Sequence, residues 1–209
     1  MTYRPPSFRV EERNRLLPLI ADYPLATLVT AALGDIFTTQ LPMLAHEADD
    51  ELFLEGHIAK ANDQWKHTPE AAAALFHVVS HYISPSWYPS KHSNPNTVPT
   101  FDYVTVEARG TVEFITDPKW LLTFVRELTQ IMESRVGGHW SIDDAPKDFL
   151  DGQAQAIVGV RMKVDSLVGT FKLNQNHPDE NVENVVAELR KLATPNARLI
   201  AAFMNAERK

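Results

Sequence analysis

Three short segments of this chain carry residue types and spacings that could do chemistry. In the first, Leu54-Glu-Gly-His-Ile-Ala-Lys-Ala-Asn-Asp-Gln-Trp65, an extended run ends at Gly56-His57, Lys60 follows, and Asn62 or Asp63 can cap a short helix. Free backbone amides, a helix N-terminus and an ammonium converging on one point suit a phosphate. The same residues also read as a strand and a capped turn with Lys60 merely solvated. The second segment is Tyr82-Ile-Ser-Pro-Ser-Trp-Tyr-Pro-Ser-Lys91, followed by Val98-Pro-Thr-Phe-Asp-Tyr103. Trp87 and Tyr88 offer flat apolar surface with a polar tip, Ser84, Ser86 and Ser90 offer hydroxyls, and Lys91 offers a cation. An aromatic, phosphorylated ligand could use that set. Aromatic loops of this kind also fold onto neighbouring subunits, and a pocket at a subunit boundary would satisfy both readings. The third segment, Phe171-Lys-Leu-Asn-Gln-Asn176, has amides that could read a heteroaromatic edge or simply end a strand and form a turn.

These segments need a scaffold, and the periodicity predicts one. Residues 25–31, 38–42 and 52–57 are short β-branched or aromatic runs separated by Gly34-Asp35 and by the acidic segment 47–51, which predicts an antiparallel meander. Residues 74–83 and 101–115 predict two more strands, the second with Tyr103, Thr105, Glu107 and Arg109 alternating against Val104, Val106 and Ala108. Residues 84–99 between them hold four prolines and no periodicity, and a loop of that length is more often functional or partner-packed than idle. A helix over 11–22 stops before Pro24. Asp117-Pro118 opens another through about 134, with Trp120, Leu121, Phe124, Leu128 and Ile131 on one face to cover an open end or face of a barrel. Residues 145–155 predict a short helix and 156–168, continuing to Phe171, a last strand. From Pro178 the tail is helical, with Val182, Val185, Val186 and Leu189 as one stripe and Leu199, Ile200 and Phe203 as another. Six or seven strands with helices inserted late predict a mainly β, α+β domain centred on a barrel, not a βαβ wound sheet. One domain spans 1–209: an arm and helix over 1–24, the barrel over 25–176, and C-terminal helices over 177–209.

At 209 residues, 44% apolar and 22% charged, the chain has ordinary globular usage. A net charge of −7 and a pI near 5.6 argue against nonspecific binding to a polyphosphate backbone. With no cysteine there is no disulfide, thiolate zinc site, iron–sulfur ligation or cysteine nucleophile. The opening MTYRPPSFRVEERNR lacks the apolar run of a signal peptide, and no apolar stretch reaches ~18 residues, so the expected address is the cytoplasm, with no membrane partner. His77 and His81 share one face, with His57 and His92 nearby in sequence, but no carboxylate stands at ligand spacing, so surface or barrel-lining histidines are expected rather than a metal or haem site. Neither a Gly-x-Ser-x-Gly elbow nor a Gly-rich phosphate loop is present.

Taken in order, the motifs resemble the FMN-binding split-barrel proteins of the PaiB type, called FMN-binding negative transcriptional regulators. The resemblance is carried by Tyr3-Arg-Pro-Pro-Ser-Phe8, Leu25-Ala-Thr-Leu-Val-Thr30, Gly56-His-Ile-Ala-Lys-Ala-Asn62, Ser84-Pro-Ser-Trp-Tyr-Pro-Ser-Lys91, Val98-Pro-Thr100 and Lys172-Leu-Asn-Gln-Asn176. It implies a homodimeric, Greek-key-like split β-barrel with FMN at the subunit interface. By motif position it implies that His57, Lys60 and Asn62 hold the phosphate end, that Ser84, Ser86, Trp87 and Tyr88 border the flavin, and that Lys91 and Thr100 come from the long loop, of this subunit or its partner. Gln175 and Asn176 are further contributors. The chain departs from the family pattern at Phe101-Asp102, where Trp-Asn is more usual, at Asp63 for Pro, at Asn174 for Ser, and at Phe76-His-Val-Val-Ser-His81 for a segment with a Gly-Pro pair. A carboxylate at Asp102 near a phosphate or an anionic reduced flavin would repel it and oppose tight retention.

Three functions follow from the resemblance. The first is a flavin-dependent or flavin-sensing transcriptional regulator, the second a flavin oxidoreductase on a small molecule, and the third a cofactor-free or haem-binding dimeric scaffold. No residue is forced into a catalytic role. Direct DNA contact is disfavoured by the acidic charge and the lack of a helix-turn-helix pattern, although Arg4, Arg9, Arg13 and Arg15, diluted by Glu11 and Glu12, could form a basic stripe. A regulatory protein is the other route to transcription.

Overall fold

The computed structural model describes residues 3–92 and 96–208. In chain order its elements are β1 (Arg9–Val10), α1 (Arg13–Asp22), β2 (Leu25–Ala32), β3 (Asp35–Pro42), β4 (Leu44–Ala48), β5 (Glu51–Ala59), β6 (Ala71–Ile83), β7 (Thr100–Ile115), α2 (Pro118–Val136), α3 (Lys147–Gln155), β8 (Ile157–Lys172), α4 (Asp179–Leu192) and α5 (Pro195–Ala206). The sheet has the order β3-β2-β6-β7-β8-β5-β4, with β1 also paired to β8. Among the described residues no helix is long and apolar enough to cross a membrane.

The chain groups into two compact units that interleave in sequence: a first of residues 1–16, 77–106 and 168–209, and a second of residues 17–76 and 107–167. In the second unit, period-two alternation turns Ala26, Leu28, Thr30 and Ala32 of β2 and Leu52, Leu54, Gly56 and Ile58 of β5 inward. Two tight hairpins link the strands. Leu33 and Gly34 join β2 to β3 with φ of 55° and 83°, and Asp49 and Asp50 join β4 to β5 with φ of 51° and 64°. Consecutive left-handed residues are what a two-residue hairpin loop requires, because their twist matches that of the strands. The acidic segment 47–51, expected to be a spacer, is therefore mostly strand and hairpin.

Helix α2 begins as expected, with Asp117 Oδ1 accepting the Lys119 N–H (3.1 Å) and Pro118 in the first turn, and ends at Gly137 with φ 67°. Its apolar face buries Leu121, Phe124 and Leu128, and Phe124 and Leu128 join Leu44 of β4 in one cluster. Its seat depends on Gly159 of β8, directly opposite His57 of β5, where a Cβ would lie 2.2 Å from the Trp120 ring.

In the first unit, α4 buries Val182, Val185, Val186 and Leu189 as the stripe predicted. The next stripe is Ala197, Ile200, Ala201 and Met204 of α5, with Leu199 and Phe203 only half-buried. The helices are separate because Ala193 is left-handed (φ 58°) and Thr194 Oγ1 caps α5 with Pro195 at its first turn.

Because Trp120 also stacks on Phe124 (5.5 Å, 4° between planes), its ring can shift only by disturbing that contact. Gly159→Ala is therefore expected to destabilise the protein by about 1–3 kcal/mol through overpacking, read as a lower denaturant midpoint with an unchanged slope.

Candidate functional site

The expected site residues divide between the two units, and each group has its own architecture. His57, Lys60 and Asn62 lie in the second unit. β5 ends at Ala59, and Asn62 Oδ1 accepts the Gln64 N–H (2.9 Å) to cap a four-residue 3-10 turn, Asp63–Lys66. The expected helix is thus one short turn, too brief to carry a helix dipole, so no helix N-terminus backs an anion here. The Asn62 side chain is committed inward. Its Nδ2 donates to Thr39 Oγ1 (2.7 Å), Thr39 Oγ1 donates to Gln64 Oε1 (2.6 Å), and Gln64 Nε2 donates to Thr30 Oγ1 (3.0 Å). Gln64, 1% exposed, is the buried hub of this chain of bonds, and nothing in the sequence marked it.

Lys60 is exposed, and its ammonium makes no ion pair among the described residues, while its backbone N–H bonds the Ala156 carbonyl (2.8 Å) and its carbonyl accepts Trp65 Nε1–H (2.9 Å). A fixed backbone with a free cation is what an anionic ligand needs. His57 sits edge-on to Phe124 (5.9 Å), its Nδ1 buried without a partner, and burial pushes its pKa down. It is neutral at pH 7 and offers a ring N–H rather than a charge.

The remaining candidates lie in the first unit. Residues 84–92 form two 3-10 turns, and Ser84 and Ser86 are bonded to each other (2.7 Å between hydroxyls). Lys91 Nζ donates to the Ser86 carbonyl (3.3 Å). The segment is pinned by two amides of α4: Asn184 Nδ2 donates to the Trp87 carbonyl (2.7 Å), and Asn181 both accepts the Ser90 N–H (3.2 Å) and donates to Ser90 Oγ (2.8 Å). Asn181 and Asn184, three apart on one helix face, were missed, though that spacing is a readable signal. Trp87 is half-buried beside His81 (6.4 Å), whereas Tyr88 is 1% exposed and stacks on His177 (4.7 Å). Thr100 Oγ1 and the Phe101 carbonyl accept from Lys172 Nζ. Gln175 bonds the Leu173 N–H and the Phe171 carbonyl, so it builds the turn after β8, while Asn176 is exposed.

Asp102 is fully buried. The β7 alternation that turns Val104 and Val106 inward turns Asp102 inward too, since it has the same parity. Burial raises its pKa from an ordinary 3.8 to about 7, against the opposing pull of the Lys172 charge. The full carboxylate charge expected beside a cofactor is therefore absent below neutral pH. Burial also raises the Tyr88 hydroxyl and lowers His177, the latter helped by Lys172.

No group of three or more His, Asp or Glu among the described residues is arranged to hold a metal. His77 is exposed, His81 Nδ1 donates to the Tyr82 carbonyl (2.6 Å), and the side chain of His92 lies outside the described residues.

Comparison with known proteins bears on this geometry. The family described as "Putative FMN-binding domain" matches residues 2–166. The protease synthase and sporulation protein PAI 2 of Bacillus subtilis is 28% identical over 210 residues, covering 97% of this chain and 96% of that protein. Among solved structures, the flavocytochrome Anf3 of Azotobacter vinelandii superposes with a TM-score of 0.58 at 12% identity, covering 84% of this chain and 74% of that one. The FAD and heme binding protein of Mycobacterium smegmatis gives 0.55 at 18% identity, covering 86% and 79%. The fold is thus the α+β split barrel of flavin-binding proteins. The residues present fit such a group in kind: a free ammonium at Lys60 for a phosphate, paired hydroxyls at Ser84 and Ser86, and an aromatic face at Trp87.

Two outcomes are expected. Asn62→Ala removes a cap and one bond of the Thr39–Gln64–Thr30 chain, and should cost about 1–2 kcal/mol in chemical denaturation. Asp102 keeps its proton in the folded state where the unfolded chain has lost it, so its stabilising contribution is complete below pH 3.8 and is lost as pH rises through about 7. Asp102→Asn should therefore be more stable than the natural protein above neutral pH, by up to about a few kcal/mol, with the difference closing toward acid pH.

Proposed function

This chain belongs to the FMN-binding domain family, and we propose that it is a flavin-dependent or flavin-sensing regulator of transcription, working as a cytoplasmic homodimer with FMN at the subunit interface. The observation that carries the flavin part is the family match across residues 2–166, joined to an exposed Lys60 ammonium that makes no ion pair among the described residues. Bound FMN supplies a ring that can take up and release electrons. The protein's own part is to hold it: Lys60 and the His57 N–H at the phosphate, Asn62 fixing the turn that presents Lys60, and the Ser84, Ser86, Trp87 and Tyr88 segment with Lys91 and Thr100 at the flavin. Gln175 and Asn176 shape the turn beside that segment.

The regulatory part is supported by the relative from Bacillus subtilis, whose name places it with protease synthesis and sporulation. A net charge of −7 favours action through a regulatory protein over direct grip on DNA.

Titration of the purified protein with FMN, followed by flavin absorbance and fluorescence, is expected to saturate near one FMN per chain, with a dimer mass in solution. Lys60→Ala should weaken binding by about 10- to 100-fold, as for loss of a charge-assisted hydrogen bond. Unchanged affinity would remove Lys60 from the site, and absence of saturable binding by a folded dimer would defeat the flavin reading.

A further inference from the structure

Helix α2 buries Leu121, Phe124 and Leu128, and its other side borders a groove in the second unit. Arg126, Gln130 and Glu133 line one wall and residues 138–143 the other, around a volume of about 520 Å³. That is the size of site that takes an organic molecule rather than a bare ion. The loop wall is fixed in place. Gly137 ends α2 in the left-handed conformation (φ 67°), and the Gly138 N–H bonds the Glu133 carbonyl (2.9 Å). The Ser141 N–H donates to Asp144 Oδ2 (2.8 Å), Ser141 Oγ accepts the Asp143 N–H (3.3 Å), and Ile142 is buried. Arg126 of α2 pairs with Asp143 of the loop.

Glu133 has a special seat in this groove. Its carboxylate lies against Gly138, where a Cβ would stand 2.0 Å from Oε2, and Oε2 accepts the Trp140 backbone N–H (3.2 Å). A side chain at 138 would push the carboxylate from that seat. Arg126 is answered by Asp143, whereas Glu133 makes no ion pair among the described residues, so one carboxylate charge in the groove has no cation of the chain to balance it. The same bond keeps Trp140 beside that carboxylate, and Trp140 is 50% exposed. An indole and an unpaired carboxylate recognise an organic cation together, because the ring face attracts positive charge and the carboxylate answers it.

We propose that this groove is a binding site for an alkylated ammonium cation, held by the Trp140 ring and the Glu133 carboxylate, with Gln130 and Ser141 serving a hydroxyl or carbonyl of the same molecule. Alkyl groups spread the charge over a weakly hydrated surface that packs on an indole, whereas a bare ammonium is compact and strongly hydrated. The other ligand classes fit less well. An anion meets Glu133 and Asp143, a neutral polyol leaves the Glu133 charge unanswered, and no metal-holding group of three His, Asp or Glu exists among the described residues. None of the residues assigned to the flavin lines the groove, so this site stands apart from that reading.

The test is two-dimensional nitrogen-15 NMR of the full chain, titrated with tetramethylammonium chloride at constant ionic strength. The four tryptophans, Trp65, Trp87, Trp120 and Trp140, give four indole signals, and Trp140→Leu assigns one by its loss. The Trp140 indole and the 138–141 amides should shift saturably while the Trp87 and Trp120 indoles stay still. Glu133→Gln keeps an acceptor for the Trp140 N–H and removes the charge, so it should weaken binding by about 3- to 10-fold. Trp140→Leu should abolish the shifts of the 138–141 amides. The proposal is overturned by the absence of a saturable shift, by equal affinity in Glu133→Gln, or by an equal response to glucose. If Glu133→Gln does not fold, salt decides: sodium chloride raised from about 0.05 M to about 0.5 M should weaken binding several-fold, and binding indifferent to salt overturns the proposal.

Discussion

The alternation of β7 is the constraint on which the polar interior of the first unit depends. A strand shows one face at every second residue, so a register that buries Val104 and Val106 must bury position 102 as well. The residue there is an aspartate. Moving the strand by one residue would expose both valines, a loss of several kcal/mol of apolar burial at ~1.5–3 kcal/mol each, so the chain keeps the register and accepts the carboxyl. Ionising that carboxyl would be costlier still, and the group meets the cost by holding its proton to about pH 7. Lys172 moderates this without cancelling it, because its ammonium is divided among other acceptors.

The same economy governs the segment beside it. In residues 84–92 the Ser84 and Ser86 hydroxyls bond each other, Lys91 bonds the Ser86 carbonyl, and Ser90 and the Trp87 carbonyl are held by Asn181 and Asn184 of α4, while the large buried side chain among the described ones is Tyr88. The segment is thus tied by amides along its backbone and by one aromatic anchor. Prolines at 85 and 89 reduce the entropy that ordering it costs. Such a loop is positioned well enough to present Ser84, Ser86 and Trp87 in a defined way, which a sixteen-residue stretch without these ties would not achieve.

Periodicity in the sequence revealed the elements better than the site. β2, β6, β7 and β8, the Asp117 cap of α2 and the α4 stripe all follow from local pattern, because each is decided by which residues alternate or recur every three to four positions. The β4–β5 hairpin did not show, since Asp49-Asp50 lacks the glycine that usually flags two left-handed residues. At the site, Lys60 and Asn62 were visible as residue types, but the cap at Asn62 opens a single 3-10 turn, and its side chain serves Thr39 and Gln64. The hub at Gln64, the α4 amides and the burial of Tyr88 depend on contacts between residues far apart in sequence, which no local pattern encodes. Asp102 is the exception: its parity was legible beside Val104, and only its chemistry made an inward position unexpected.

A similar contrast separates two charged residues, one from each unit. Lys60 is an exposed cation with no ion pair among the described residues, on a backbone held by the Ala156 carbonyl. Asp102 is an acid enclosed by the fold, whose charge is bound up with stability. A flavin phosphate held by the first would gain its electrostatic attraction at any pH where the phosphate is charged.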